Sequence, residues 1–152
     1  MSVKQYSLLD FSLSITFKGS RYNIPIGGIG SYLGSIKVSK STDNVTKTVD
    51  ATGSGVYAYS HDHSGTVDIE ISQVSEQVGT IIKKIMNYYH SQTNGDWKKG
   101  IVGISLMKNG SKVIDATDCM LTKMPDFEAS AEPGTRVFSF ASIEIREFAI
   151  KY

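Results

Sequence analysis

Apolar and polar residues alternate without a break from Leu9 to Lys18. Leu9, Phe11, Leu13, Ile15 and Phe17 fall on one face, Asp10, Ser12, Ser14, Thr16 and Lys18 on the other. Period two sends successive side chains to opposite sides of a strand, so this segment predicts a strand with one buried face. Gly19, Ser20, Pro25 and the run Gly27–Gly28–Ile29–Gly30 read as a turn-like stretch. Ile36 and Val38 mark a second strand. Val45 and Val49, with Thr46 and Thr48 outward, mark a third, which Gly53–Ser54–Gly55 breaks. Val67, Ile69 and Ile71 against Thr66, Asp68, Glu70 and Ser72 give another clean alternation.

At Ser75 the period changes. Val78, Ile81, Ile82, Ile85, Met86 and Tyr89 recur at steps of three and one, the apolar stripe of an amphipathic helix over about 75–91. Ser75 suits the N-cap, Glu76 the first turn, and Asn94–Gly95 the stop. Gly79 costs about 1 kcal/mol relative to Ala, which six apolar positions on one stripe outweigh. Beyond the helix the pattern returns to β. Residues 101–107 and 112–118 flank Lys108–Asn109–Gly110–Ser111, where Asn-Gly favours a type I′ hairpin turn. A strand around Met120–Met124 ends at Pro125, and Glu128–Thr135 reads as a loop. The last strand, expected to be the longest, covers 136–149. Val137, Ser139, Ala141, Ile143 and Ile145 face one way, Phe138, Phe140, Ser142, Glu144 and Arg146 the other. Phe138 and Phe140 then sit on a face that becomes charged, where either a partner or local structure must cover them; they are candidate interface residues.

These elements specify a mainly β fold, a sandwich or squashed barrel of antiparallel strands with one packed helix. A chain of 152 residues predicts a single domain spanning 1–152. It is long enough to bury a core without disulfides or metals. Sixteen Lys+Arg against fifteen Asp+Glu leave a net charge of +1, which excludes a chain that grips nucleic acid or anionic membrane by bulk charge. Ser and Thr together number 31, equal to all charged residues, so the strand faces are neutral and polar. Neither a signal peptide nor a membrane-spanning apolar run is read from the sequence.

Candidate chemistry is sparse. Gly28-x-Gly30 has Leu33 where a dinucleotide fingerprint needs its third Gly, and strand-like sequence follows instead of a helix N-terminus to hold a phosphate. His61-Asp62-His63 could place two imidazoles on one strand face, but the neighbourhood offers no further ligands and Ser64–Gly65 reads as a turn. Cys119, the single cysteine, lies beside Met120 and Leu121, the setting of a buried structural thiol. Asp115 and Asp118, three apart in a strand, should face opposite sides, against paired-carboxylate chemistry. The Asn-x-Ser/Thr triplets at Asn44 and Asn109 carry meaning only in a secreted chain, and Lys83–Lys84 and Lys98–Lys99 read as solvated pairs. No catalytic, cofactor-binding or metal-ligating residue emerges. Strong strands with weakly charged faces and no active site are instead the marks of a self-assembling subunit, since open sheets present edges that something must cover.

The order of elements resembles that of phage tail tube proteins of the contractile-tail type. Tyr6-Ser7-x-x-Asp10-Phe11-Ser12-Leu13-Ser14, the bend at Gly28–Gly30, and Lys37-Val38-Ser39 leading into a polar hairpin carry the likeness. So do Ala51-Thr52-Gly53-Ser54-Gly55, Ser64-Gly65-Thr66-Val67-Asp68-Ile69, Gln73-Val74-Ser75 before a single helix, and Pro133-Gly134-Thr135-Arg136 opening the last strand. It extends from about 6 to 148. The tube subunits of contractile bacteriocins and of type VI secretion share this general fold.

The resemblance implies a structural, non-enzymatic subunit with no cofactor. Six copies would form a ring whose inner sheets join around a channel, and rings would stack into a tube through which DNA passes without specific binding. The implied partners are further copies of the chain, a sheath, a baseplate and a tail terminator; no membrane is involved. The implied location is the virion tail, assembled in the host cytoplasm. The polar segment 40–55, with Ser41, Asp43, Asn44, Thr46, Thr48 and Asp50, matches the family's loop that reaches a neighbouring subunit. A conduit must not hold DNA by phosphate contacts, so its wall should be acidic or neutral. The face of Thr66, Asp68, Glu70 and Ser72, with two carboxylates and no base, fits such a wall, and Asp68 and Glu70 are the candidate lumen residues. The alternatives are a bacteriocin or secretion-type tube and, in another class, a monomeric ligand-binding barrel.

Overall fold

The first alternating segment forms β1, Phe11–Phe17, with Phe11, Leu13, Ile15 and Phe17 all buried, as their spacing requires. The computed structural model describes residues 10–17, 19–25, 33–72, 76–90, 98, 100–126, 129–132 and 134–148. Within them β1 is followed by β2 (Ser20–Pro25), β3 (Leu33–Lys40), β4 (Val45–Val49), β5 (Gly55–Tyr59), β6 (Gly65–Ser72), α1 (Glu76–Tyr89), β7 (Val102–Lys108), β8 (Ser111–Lys123), β9 (Thr135–Ser142) and β10 (Glu144–Glu147). The Gly27–Gly30 run, the Ser75 cap and the Asn94–Gly95 stop lie outside the described residues.

Every recorded pairing is antiparallel. One sheet runs β2-β1-β7-β8 with β10 also on β8; the other runs β8-β9-β6-β3. The long β8 therefore belongs to both. It pairs with β7 and β10 up to Cys119, then with β9 from Met120. Just before this switch, in the irregularity between the Ala116 and Cys119 pairings with β7, Asp118 forms a corner at φ 51°, a left-handed conformation that Asp tolerates better than most residues. The corner replaces the separate strand expected at 120–124. The Asn-Gly expectation holds: Asn109 and Gly110 take φ 50° and 83°, the two positive values of a type I′ turn joining β7 to β8.

The core lies between the sheets and under the helix. Val67, Ile69 and Ile71 of β6 meet Val102 and Ile104 of β7, Cys119 and Leu121 of β8, and Ile82 and Ile85 of α1. Each fully buried Ile or Leu contributes roughly 1.5–3 kcal/mol. The helix seats Tyr88 against Phe17, ring centroids 6.0 Å apart. It also requires Gly100, where an added Cβ would stand 2.6 Å from Tyr89 Cε1. Lys83 and Lys84 are exposed, and Lys84 Nζ donates to Tyr22 Oη at 3.2 Å. No described helix is long and apolar enough to cross a membrane.

Three further sequence expectations change. The stretch after Gly19 is not only a turn: it pairs as β2 along β1, from Ser20 opposite Phe17 to Pro25 opposite Ser12. Its polar sequence and its proline suit an outer strand, which needs only one row of hydrogen bonds. The last strand is not continuous, and β8, at 13 residues, is the longest. The chain bends at Ile143, where Ser142 Oγ lies 2.8 Å from Thr117 O and 3.0 Å from Glu144 O. A shift of one residue moves every following side chain to the other face. Phe138 and Phe140 therefore point inward before the bend and Ile145 points inward after it. Phe138 and Phe140, expected as interface residues, are 5% and 1% exposed and belong to the chain's own core. Third, Val45 and Val49 are not the inner face of a core strand; they are exposed.

Candidate functional site

The segment that carries Val45 and Val49 forms a sheet of its own. Among the described residues β4 and β5 pair only with each other, Val45 opposite Tyr59 and Val49 opposite Gly55. Residues 41–59 are exposed throughout. The alternation gives the ribbon two faces: Val45, Lys47, Val49, Tyr57 and Tyr59 on one, Thr46, Thr48, Val56 and Ala58 on the other. An isolated two-stranded ribbon is at best marginally stable in water, and among the described residues nothing covers either face of this one.

Its ends are well built. At the tip, Asp50 Oδ1 accepts from Thr52 Oγ1 at 2.7 Å and from the Thr52 and Ser54 N–H groups at 2.9 Å. Gly53 supplies the left-handed turn at φ 87°. The Thr52 hydroxyl first, then the Ser54 amide, hold the Asp50 carboxyl below its ordinary value. At the root, Ser60 N–H donates to Asn44 O at 2.8 Å and Ser41 N–H to Ser64 O at 3.0 Å. The Thr42 hydroxyl donates to Asp62 O at 3.3 Å. The Asp62 carboxyl accepts from Ser64 N–H at 2.9 Å, and its bonds to Ser64 hold it low as well. Ser41, Asp43, Asn44, Thr46, Thr48 and Asp50 are thus all on this projection. Sequence reading found its polar residues and missed its apolar ones, Val56, Tyr57 and Tyr59. Their signal was the β-prone run Val56-Tyr57-Ala58-Tyr59 directly after the glycine break.

A second surface is the outward face of the β8-β9-β6-β3 sheet. Thr66, Asp68 and Glu70 alternate with the buried Val67, Ile69 and Ile71, so both carboxylates leave the core side. Ser139 Oγ donates to Asp68 Oδ1 at 2.7 Å and Ser35 Oγ to Glu70 Oε2 at 3.2 Å. β6 carries no base on this face, but its neighbours do. Lys37 stands opposite Asp68 on β3, and exposed Lys123 stands opposite Ser139 at the β8 edge. The face as a whole is balanced, with Ser and Thr between its charges.

The remaining candidates do not converge. His61 is exposed and stacks edge-on to Tyr59 at 5.1 Å, and His63 Nε2 lies 3.3 Å from Tyr59 Oη. Among the described residues no three His, Cys, Asp or Glu side chains are grouped to hold a metal. Cys119 is buried, its Sγ 3.5 Å from Ala116 O, and burial pushes its thiol up. Asp115 and Asp118 do not face opposite sides as a regular strand would dictate. The corner at Asp118 brings both to one groove of about 660 Å³. There Asp115 accepts from Ser105 Oγ at 2.9 Å and lies 3.9 Å from Lys112 Nζ.

Comparison with known proteins adds identity to this geometry. Residues 3–149 match a family model described as Bacteriophage PhiTE tail tube protein. No curated protein matches. Among solved structures, the chain is similar to one in an extracellular contractile injection system, the PVC sheath-tube complex in its extended state. They share 15% identity over 96% of this chain and 93% of that one, with a TM-score of 0.55. It is similar at 11% identity, over 100% of both chains and with a TM-score of 0.61, to a chain of the six-fold symmetrised anti-feeding prophage baseplate. A chain of the anti-feeding prophage tube-terminating cap matches at 11% identity and a TM-score of 0.55, over 96% and 93% of the two chains. At these identities the likeness is one of fold.

Proposed function

The chain belongs to the Bacteriophage PhiTE tail tube protein family, and from that premise we propose that it builds the tube as hexameric rings stacked around a DNA channel. The observation that carries this reading is the β4–β5 ribbon, exposed on both faces and furnished with Tyr57, Tyr59 and three valines. Such a surface costs solubility in a monomer and becomes useful when a neighbouring copy covers it. Head-to-tail stacking is heterologous and does not close on itself, which for a tube is the required outcome. β2 and β3 each have one recorded partner, and ring closure would pair such edges with the next copy.

In this reading the balanced face with Asp68 and Glu70 lines the channel. A wall without excess positive charge does not collect phosphates, so DNA passes without binding. Sheath, baseplate and terminator would contact the outside and the ends, in a tail assembled in the host cytoplasm. The solved structures of contractile injection systems support a second reading, a tube of the same build that carries no DNA. DNA inside native particles decides between the two.

Electron microscopy of the purified protein, alone and seeded with native tails, tests the assembly. Rings and tubes are expected from the intact chain, and a folded, unpolymerised species from a chain with the 45–59 ribbon shortened. A strictly monomeric intact chain overturns the reading. For the channel wall, Asp68→Lys with Glu70→Lys should still assemble but slow or block DNA release. Reversing one carboxylate in six copies moves a ring by roughly twelve charges. Normal infectivity of such a virion removes these residues from the channel.

A further inference from the structure

Beside the root of the ribbon lies a shallow apolar groove of about 560 Å³. Ile101, Met120, Ala141 and Ile143 line it, and the carboxylates Asp62 and Asp118 stand among them. Ile143 is 69% exposed because it is the residue at which the chain bends between β9 and β10; Ile101 is exposed as well. Two isoleucines in water at one spot, beside two carboxylates, describe a seat for something apolar that carries positive charge.

The same chain carries such an object. The ribbon face of Val45, Lys47, Val49, Tyr57 and Tyr59 is apolar and aromatic around one cation, with no acid among its members. We propose that this face seats in the Ile101–Ile143 groove of a second copy, with Lys47 against Asp118 and Asp62. The inference rests on the tube reading above and deepens it by naming the receiving site.

The ribbon cannot reach this groove on its own chain with its distal half. Asp62 and Ser64 of the groove adjoin the ribbon root, and five residues at ~3.3 Å each carry Val49 roughly 15 Å away from that root. An extended, paired ribbon does not double back. Donor face and receiving groove are also different surfaces, so each copy gives to one neighbour and receives from another. Such a heterologous contact either closes into a ring or runs on along a tube, and in both cases links more than two copies. Asp118 has a double position in this scheme. Its left-handed backbone lies in the irregularity of β8 just before the strand passes from one sheet to the other, and the residue lines the groove.

The test is a cross-link in assembled protein. In a chain carrying Val49→Cys and Ile143→Cys, with the buried Cys119 left in place, mild oxidation of assembled material should give a ladder of dimers, trimers and higher species on a non-reducing gel. Either substitution alone should give no ladder. Tubes that form but give no ladder, or only a monomeric species with both new thiols consumed, overturn the docking while the tube reading stands. Intact chains that never assemble remove both. A second measurement does not depend on the cysteines. Lys47→Ala and Asp118→Asn should each raise the concentration needed for assembly about two- to fivefold, as exposed ion pairs do. The double variant should rise no further than the stronger single one. Additive effects would mean that the two charges serve different contacts and would overturn the pairing.

Discussion

In β6, Val67, Ile69 and Ile71 are 1%, 0% and 2% exposed, and the polar residues between them face outward. In the ribbon, Val45, Val49 and Tyr57 also fall on one face by period two, with Lys47 among them, and are 48%, 53% and 74% exposed. The two regions follow one rule of sequence and differ in where the partner surface comes from. For β6 the chain supplies β1, β7, β8 and α1 to cover the apolar face. For the ribbon the described residues supply no cover, and in the tube reading the cover comes from another copy. Period two announces a strand with a face to bury; it does not say in which molecule the burial takes place.

The strongest way to test that division is to truncate one apolar side chain on each side of it. Phe140→Ala, deep between the sheets, should cost about 3–5 kcal/mol in denaturant unfolding of the isolated subunit. Tyr57→Ala, on the ribbon, should change the same measurement by less than about 0.5 kcal/mol and show its effect in assembly alone. A large loss of monomer stability from Tyr57→Ala would erase the distinction, because the ribbon would then be covered within its own chain.

A smaller effect probes the junction. Gly65 begins β6 directly after the ribbon root, and a Cβ there would collide with Ser39 O and Ile145 Cδ1 and crowd Lys40 Cα. Two of these three neighbours are backbone and cannot rotate away. Gly65→Ala should therefore cost about 1–3 kcal/mol by overpacking, read as a lowered thermal midpoint of the subunit. An unchanged midpoint would mean that ribbon and body meet more loosely than this contact requires.

These residues also mark how far the sequence could be read. β1, β6 and the Asn109–Gly110 turn were legible because each combines an unbroken period with a local rule that admits one outcome. The helix was legible from its stripe. The ribbon's polar residues were legible too, through composition and family likeness. Phe138 and Phe140 were misassigned because strand phase was carried through Ile143, where the chain bends and Ser142 makes a tertiary contact with Thr117. That contact spans 25 residues and leaves no local pattern. β2 was missed for the opposite reason: an outer strand needs one row of hydrogen bonds and little apolar surface, so Ser20–Pro25 carries almost no periodic signal. Lys37 and Lys123 entered the face of Asp68 and Glu70 only once the strand order was known.

The gentlest probe separates the ribbon tip from the body by pH. The Asp50 carboxyl is held below its ordinary value of 3.8 by the Thr52 hydroxyl and the Ser54 amide. A group whose pKa is lowered by folding contributes order that is present above its unfolded value and is lost as pH falls through the folded value. The tip should therefore stay closed at neutral pH and loosen only below 3.8, as Asp50 takes up a proton and its oxygen stops accepting from Thr52 and Ser54. Amide exchange followed by NMR should show protection at Thr52 and Ser54 falling in that range. Amides of β6 and β7, whose hydrogen bonds hold no carboxylate, should keep theirs. Asp50→Asn should loosen the tip at neutral pH and remove the acid step. A tip that stays protected down to about pH 2 in the unaltered chain would mean that the paired backbone of Asp50 and Ser54, whose N–H and C=O meet at 2.9 Å, holds the turn without the carboxylate.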